Sequence, residues 1–466
     1  MNTRKTTLLL LSLCCLGVSF IRAQESMPLT LESALAYAYE HHPGLKNART
    51  DIEIARKKVK ETTAIGLPQV NASLGYNHFP NVPTQLLPDF LSPVVYGVLY
   101  EEGLVNEIPG GVSDRLFEAQ FGTPHTMTAQ ATVSQLVFNG PYIVGLQAAR
   151  AFVDFSVVQE KRNKKEVEEA VKNAYYQLLI AAHSLSLLDS TRQSLESMLQ
   201  ETKEIYRQGF LDETDVDQLE LLLSDLDATQ ANARNQYDLA ERLLRFQMGM
   251  PAGTAITLTT RIEDILQTID QMMFSGKAFK VEEHIDMAVI RNQRLLNELD
   301  MKRYKSLYLP SLSAFYNYQQ VAQRTEFDFT DAKGDWFPTE VIGIQVDIPL
   351  WSSGSRSAQV QQARLQLDKT EVLTTQVKDG LELEAANARS NLENAWKVFG
   401  NKQKSMGIAE KIYTRTGIRY REGMASSLEL QQTYTQYLQA EGDYILAALQ
   451  LFTAKSAFEK AFQNNE

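Results

Sequence analysis

The side chains in this sequence that could bind a metal ion are a few histidines and a group of loop aspartates. His41, His42 and His284 lie near predicted helix starts, but neither a cysteine nor a clear ligand set accompanies them. The aspartates between 328 and 335 resemble a calcium loop only loosely, because their spacing is wrong and the late glutamate is missing. The sequence also lacks a phosphate-binding glycine loop and a compact nucleophile–base motif. We therefore expect no metal site, no cofactor and no enzymatic activity.

The first residues have the pattern of a secretory signal peptide. Arg4 and Lys5 precede an apolar run at 8–18, which is too short to span a membrane as a helix, and a plausible cleavage edge follows. Residues 1–23 are therefore assigned to a signal peptide. Both cysteines lie inside it, and lipidation of Cys14 is not expected because no small residue precedes it. The net charge of −11 gives no footprint for nucleic-acid binding.

The rest of the chain contains two copies of one pattern. The segment Gly-Leu-Pro-Gln-Val-Asn-Ala-Ser-Leu-Gly-Tyr at 66–76 resembles Tyr-Leu-Pro-Ser-Leu-Ser-Ala-Phe-Tyr-Asn-Tyr at 308–318. A Tyr-X-X-Gly motif at 206–209 recurs at 420–423. Such internal similarity predicts one architecture built twice. The predicted organisation is a first repeat at 24–250, an equatorial linker at 251–281 and a second repeat at 282–466.

Four short segments alternate between apolar and polar residues with the period of a β-strand. They lie at 69–77, 127–134, 311–319 and 342–348. Each has about the length that a tilted strand needs to cross the lipid core, although strands of a soluble sheet are the alternative. Pro68 and Pro310 mark predicted junctions between a helix and a strand. Phe138 and Trp351 are aromatic residues near strand ends, which is typical of a membrane–water interface.

A long helix is predicted after the second strand of each repeat, at about 141–206 and 355–420. At 1.5 Å per residue each would be about 100 Å long. Apolar residues in the first recur every three or four positions, which is the seam of a coiled coil and needs a partner helix. Two shorter helices stacked end to end would match that length. In each repeat they are an entry helix, at 29–65 or about 282–308, and a returning helix, at about 212–248 or 427–462. The second returning helix has a tyrosine-rich seam, formed by Leu430, Tyr434, Tyr437, Tyr444, Ala448 and Leu451.

Four strands are too few to close a membrane barrel, because the smallest such barrels have about eight. An open sheet edge is forbidden in hydrocarbon, since every backbone polar group there needs a partner. The chain must therefore share a barrel with copies of itself. A polar inward-facing set, which includes Asn71, Ser73, Gln130 and Thr132, indicates a wet lumen and favours three copies with a twelve-stranded barrel.

In its order of motifs the sequence resembles the TolC-type outer-membrane efflux channel family over nearly the whole chain after the signal peptide. The motifs that carry the resemblance are Ala34 and Ala38 before His-His-Pro-Gly-Leu at 41–45, Leu-Pro at 67–68 and 309–310, Leu-Val-Phe-Asn-Gly at 136–140, Pro-Leu-Trp-Ser-Ser-Gly at 349–354, and the two Tyr-X-X-Gly motifs. The second copy departs at 285–286, where Ile-Asp replaces Pro-Gly.

The resemblance implies a mostly α-helical homotrimer with a small transmembrane β part. Long coiled-coil helical hairpins would form an α-barrel in the periplasm, and the four strands of each chain would join the twelve-stranded barrel in outer-membrane lipid. The expected partners are a periplasmic adaptor protein and an inner-membrane pump, without nucleic acid.

The resemblance also suggests residues for the periplasmic entrance. Tyr206, Gly209, Tyr420 and Gly423 would form the hairpin tips, with possible adaptor contact, although the alternative is that they only build the turns. The positions that ring the entrance in relatives fall on Glu429 and Gln432 in this sequence. Three Glu429 carboxylates would attract cations, whereas Gln432 would make the second ring neutral. The alternative for Glu429 is an ordinary helix-start glutamate stabilised by the helix dipole.

The predicted function is a passive outer-membrane export duct of a tripartite efflux system. The alternatives are the outer-membrane component of a type I protein secretion system and a non-conducting periplasmic coiled-coil scaffold. The proline-rich loop at 78–126 is predicted to fold over the barrel mouth, with its apolar stretch from Val94 to Leu99 packed rather than exposed.

Overall fold

A computed structural model describes residues 27–106, 116–274, 278–331 and 334–462. The predicted signal peptide lies outside these residues. The elements, in chain order, are β1 (Met27–Leu29), α1 (Leu31–His41), α2 (Pro43–Ile65), β2 (Gln69–His78), β3 (Thr84–Pro88), α3 (Leu91–Glu101), β4 (Leu116–Gln120), β5 (His125–Phe138), α4 (Gly140–Arg207), α5 (Glu213–Met248), β6 (Ile256–Leu258), α6 (Ile262–Phe274), α7 (Ile285–Ser306), β7 (Ser311–Arg324), β8 (Phe337–Asp347), α8 (Ser355–Arg421) and α9 (Ser427–Ala461). In the described residues, every helix is too short or too polar to cross a membrane.

The chain divides into two compact units, and each contains segments from both repeats. We call residues 27–55, 151–295 and 367–462 the helical unit, and residues 56–150 and 296–366 the sheet unit. The mostly α-helical prediction with four main strands is confirmed.

In the sheet unit, the four predicted strands form one antiparallel sheet in the order β2-β5-β7-β8. Its register aligns the alternating patterns of all four strands: Val70 pairs with Val133, Val133 with Tyr316, and Tyr316 with Ile342. Because paired residues point to the same side, one face is a continuous apolar row. Asn71, Thr132 and Asn317 form a row on the other face, where the Asn317 amide donates to the Thr132 hydroxyl over 3.1 Å. β5 and β7 are longer than the alternation predicted.

The loop between β2 and β5 contains secondary structure that the sequence did not suggest. β3 and β4 pair in an antiparallel ribbon, and α3 lies between them in the chain. The prediction that Val94 to Leu99 is packed is wrong for the single chain, because Val94, Val95 and Val98 are more than half exposed. With Leu91, which is also more than half exposed, these residues follow the helical spacing of one stripe.

In the helical unit, the predicted seams pack as the heptad pattern requires. Val171 and Leu178 of α4 are buried, and all six seam residues predicted for α9 are buried as well. Arg192 interrupts the α4 seam and forms an ion pair with Asp227 of α5, with 2.8 Å between Nε and Oδ1. Tyr413 of α8 contributes to the aromatic packing by stacking on Tyr437 at 5.5 Å between ring centroids.

The predicted linker contains the strand β6 and the helix α6. β6 pairs in parallel with β1, and the sequence analysis missed both this pairing and helix α6. Three isoleucines of α6 are buried in the core of the helical unit (Ile262, Ile265 and Ile269). Thr30 begins α1 with a capping box, in which its hydroxyl accepts from the Ser33 amide and the Ser33 hydroxyl accepts from the Thr30 amide.

Candidate functional site

The second Tyr-X-X-Gly motif forms the tight turn between α8 and α9. Gly423 has φ +70°, a left-handed conformation that glycine adopts without a steric penalty. The amide of Met424 donates to the Arg419 carbonyl over 2.8 Å, and the Gly423 amide donates to the Tyr420 carbonyl over 3.0 Å. These bonds close the end of α8 in the way that a glycine after the helix permits. Ser426 then caps α9 by accepting from the Glu429 amide over 3.2 Å.

Glu429 forms an ion pair across this turn. Its carboxylate accepts from the Arg419 guanidinium, with 2.9 Å between Oε1 and Nη1, and the same guanidinium donates to the Met424 carbonyl over 3.0 Å. Arg419 lies in the last turn of α8 and Glu429 in the first turn of α9. Each charge is therefore at the helix end that its own dipole favours. The pair is about half exposed, so it adds little to stability but fixes where the two charges lie.

The first Tyr-X-X-Gly motif forms a similar turn with different side chains. Gly209 has φ +81°, and the Phe210 amide donates to the Ile205 carbonyl over 3.3 Å. Asp212 begins α5, and its amide donates to the Asp215 carboxylate over 3.3 Å as part of a capping box. The acidic residues that the sequence shows here therefore include a local cap of the helix.

The two motif tyrosines differ in exposure. Tyr206 is 40% exposed, whereas Tyr420 is 7% exposed. The Thr202 hydroxyl donates to the Tyr420 hydroxyl over 3.5 Å, and burial raises the pKa of Tyr420. Of the two tyrosines, Tyr206 therefore offers part of its ring to solvent at a tip, while Tyr420 holds α8 against α4.

Gln432, the second predicted entrance residue, lines an open groove on α8 and α9 of about 730 Å³. An ion pair between Lys402 and Asp443, 2.7 Å apart, lies in the same groove. Glutamines make up much of the polar lining, at Gln431, Gln432, Gln436 and Gln439. Gln432 therefore lies in a groove whose other polar side chains are mainly uncharged, and the sequence pattern did not indicate this groove.

Sequence analysis missed Glu441, which occupies a seam position of α9 between Tyr437 and Tyr444. Its side chain is 3% exposed, and its Oε2 atom has no hydrogen-bond partner. Burial raises the pKa of the Glu441 carboxyl to about 7, partly opposed by the hydrogen bond that it accepts from the Tyr437 hydroxyl. The signal in the sequence was its spacing, because Glu441 falls where the heptad expects an apolar residue.

The remaining predicted site residues lie in the sheet unit. Pro68 stands between the end of α2 and the start of β2, and Pro310 stands between α7 and β7 in the second repeat. Phe138 ends β5 and is 37% exposed, while Trp351 follows β8 and is 85% exposed. Large apolar side chains on one face are also exposed in the single chain, at Val70, Leu74, Ile342, Ile344 and Val346.

The described part of the chain contains no group of three or more histidine, cysteine, aspartate or glutamate side chains that could hold a metal ion. His284 is buried, and burial lowers the pKa of its imidazole. The backbone amide of Asp286 donates to the Nδ1 atom of this ring over 3.2 Å, so His284 helps to cap the start of α7.

Comparison with protein families gives a match to the family described as "Outer membrane efflux protein". Two segments match, 34–250 and 292–462, and each contains an entry helix, two strands of the four-stranded sheet, a long helix and a returning helix. Among curated proteins, the chain is 21% identical over 202 residues to "Proteases secretion protein PrtF" of Dickeya chrysanthemi. That alignment covers 42% of this chain, and the chain spans 42% of the length of that relative.

Solved structures of channels have the same fold. The CusC structure superposes with a TM-score of 0.68 at 12% identity, covering 93% of this chain and 92% of that chain. The Campylobacter jejuni CmeC outer membrane channel gives a TM-score of 0.67 at 15% identity, covering 93% and 85%. The predicted fold, family and outer-membrane location are confirmed by these matches. The chain belongs to the outer membrane efflux protein family.

Proposed function

We propose that this chain is the subunit of a passive export duct in the outer membrane, and that three copies form one channel. The sheet unit contributes four strands to a barrel in lipid, and the helical unit lies in the periplasm. A periplasmic adaptor and an inner-membrane pump complete the system, with the pump supplying the energy.

The observation that carries this proposal is the four-stranded sheet with two unpaired edges. β2 and β8 are the outer strands, and almost all of their residues are exposed in the single chain. One face presents Val70, Leu74 and Ile344, each at least 70% exposed, which is the composition expected of a lipid-facing surface. Because lipid cannot satisfy backbone N–H and C=O groups, β2 of one copy must pair with β8 of the next.

The proposed entrance lies at the tip of the second helical hairpin, between α8 and α9. Glu429 and Gln432 lie on the first turns of α9, next to the turn at Gly423. We propose that they line the periplasmic constriction and that Tyr206, Gly209, Tyr420 and Gly423 shape the tips that meet the adaptor. The exposed ring of Tyr206 is the better candidate for direct contact, since Tyr420 is buried.

The similarity to PrtF favours a second function on the same fold. That relative is described as a protease secretion protein, which suggests the outer-membrane component of a type I protein secretion system. Capture of the inner-membrane partner through a tagged copy of this chain separates the two functions. A small-molecule pump would support efflux, whereas an ATP-driven protein exporter would support secretion.

Purified protein in detergent and planar lipid bilayers tests the duct itself. We expect a particle with the mass of three chains and stable, ohmic single-channel currents. A monomer that stays soluble without detergent, or trimers that never conduct, would overturn the duct and leave a periplasmic coiled-coil scaffold as the better account.

A further inference from the structure

We propose that Arg419 is the residue that sets the ion selectivity of the entrance, by cancelling the negative charge of Glu429. This inference rests on the proposed function, because it requires Glu429 to lie at the constriction. It changes the expected behaviour, since a ring of unpaired carboxylates would attract cations, whereas a ring of pairs would have no net charge.

The geometry of the turn holds the two charges together. The Arg419 guanidinium donates to the Glu429 carboxylate at 2.9 Å and to the Met424 carbonyl at 3.0 Å, so it contacts both the acid and the turn backbone. Arginine remains protonated at all relevant pH values. By Coulomb's law the potentials of two opposite charges a few Å apart largely cancel at distances longer than their separation, so the cancellation does not require a strong bond.

The first repeat supplies an internal comparison. The Phe210 amide bonds to the Ile205 carbonyl in the first turn, just as the Met424 amide bonds to the Arg419 carbonyl in the second. Ile205 therefore occupies the position equivalent to Arg419. Without a cation there, the equivalent acid, Asp215, accepts from the Asp212 backbone amide instead. The pairing is thus a property of the second turn and is not required to build the turn.

The neighbouring charges reinforce the effect. Between positions 414 and 432 the sequence has arginines at 415, 419 and 421 against glutamates at 422 and 429. Gln432 adds no charge where a second carboxylate would strengthen a cation filter. The end of the second hairpin in each copy therefore has no excess of negative charge, and we expect the ring that it forms to give K⁺ little preference over Cl⁻.

The reversal potential of single channels in a KCl gradient tests the proposal. Arg419→Gln should raise the K⁺ to Cl⁻ permeability ratio by about tenfold, because one unit charge at roughly 6 Å in water favours K⁺ about threefold and disfavours Cl⁻ about threefold. Block by hexaamminecobalt(III) from the periplasmic side should also become stronger. Arg419→Lys keeps the charge and should behave as the native channel. Arg419→Gln combined with Glu429→Gln should lose the added cation preference.

Arg207→Gln is the matched control, because it removes an arginine from the first hairpin end, where the partner is Glu204. It should leave the permeability ratio unchanged. If Glu429→Gln shifts the ratio toward anions but Arg419→Gln leaves it at the native value, the inference about Arg419 is wrong, whereas the proposed export duct remains supported. If neither variant changes the ratio, Glu429 is not at the constriction and the inference is also wrong. Absence of channels in the native protein would instead overturn the proposed function.

Discussion

The Tyr437 hydroxyl donates a hydrogen bond to the Glu441 carboxylate one turn further along α9. Both side chains lie in the buried seam of this helix, and the Oε2 atom of Glu441 has no second partner. One hydrogen bond does not replace the hydration that a buried carboxylate loses, so the carboxyl group stays neutral up to a higher pH here than it does in water. The negative charge of Glu410 on α8 adds to the effect of burial.

Replacement of Glu441 should therefore make the helical unit less sensitive to pH. The pKa of Glu441 is raised from 4.5 to about 7, so between these values the folded chain binds more protons than the unfolded chain. The free energy of unfolding should fall as pH rises from about 4.5 to 7, by about 3 kcal/mol per copy, and then stay level. Hydrogen–deuterium exchange of α9 amides at pH 5 and pH 8 would measure it.

Glu441→Gln should slow α9 exchange at pH 8 and remove most of the difference between the two pH values. Glu422→Gln, at the exposed second turn, is the control and should leave the difference unchanged. Equal exchange of the native protein at both pH values, after correction for intrinsic rates, would show that Glu441 does not titrate in this range.

Two glycines with positive φ test close packing at the end of α5. Gly249 has φ +69°, and an added Cβ atom would lie 2.8 Å from the carbonyl oxygen of His41. Gly253 has φ +103°, and a Cβ atom added to it would lie in open space. Gly253→Ala should lower the free energy of unfolding by about 1 kcal/mol from backbone strain alone, whereas Gly249→Ala should lower it by a further 1–3 kcal/mol, roughly, from the clash. Thermal unfolding followed by circular dichroism would compare them, and equal effects would contradict the packing.

Adjacent lysine substitutions on β8 test which face of the sheet meets lipid. Ile344 lies on the apolar face and is 73% exposed in the single chain, whereas Gln345 lies on the other face and contacts Asp347. Ile344→Lys should cost about 2–4 kcal/mol in lipid and reduce the amount of assembled trimer in outer membranes. Gln345→Lys should assemble normally. Equal yields from the two variants would mean that this face is not in hydrocarbon.

The two motif tyrosines should differ in their contribution to stability. Tyr420→Ala removes a buried ring from the contact with α4 and should lower the free energy of unfolding by about 3–5 kcal/mol. Tyr206→Ala should lower it by less than about 1 kcal/mol, because the ring is 40% exposed, and its effect should appear in adaptor affinity. Denaturant melts and adaptor binding to the detergent-purified channel would separate the roles, and a larger loss of stability for Tyr206→Ala would contradict the burial.

The sequence by itself determined the elements whose patterns repeat over many residues. The heptad spacing of α9 identified its buried seam from Leu430 to Leu451, and the period of two located all four strands of the main sheet. These predictions succeed because helix and strand periods decide which side chains share a face before any partner is known. The duplicated motifs then identified the family.

The tertiary structure decided what depends on residues far apart in the chain or on a single departure from a pattern. The ion pair of Arg419 and Glu429 joins residues ten apart, which meet only because the turn at Gly423 reverses the chain. Glu441 is buried although its side chain is ionisable, because its position on α9 falls in the seam between Tyr437 and Tyr444. The stripe of Val94 and Val98 is exposed in the single chain. A pattern within one segment shows which side chains share a helix face, but it cannot show whether another surface packs against that face.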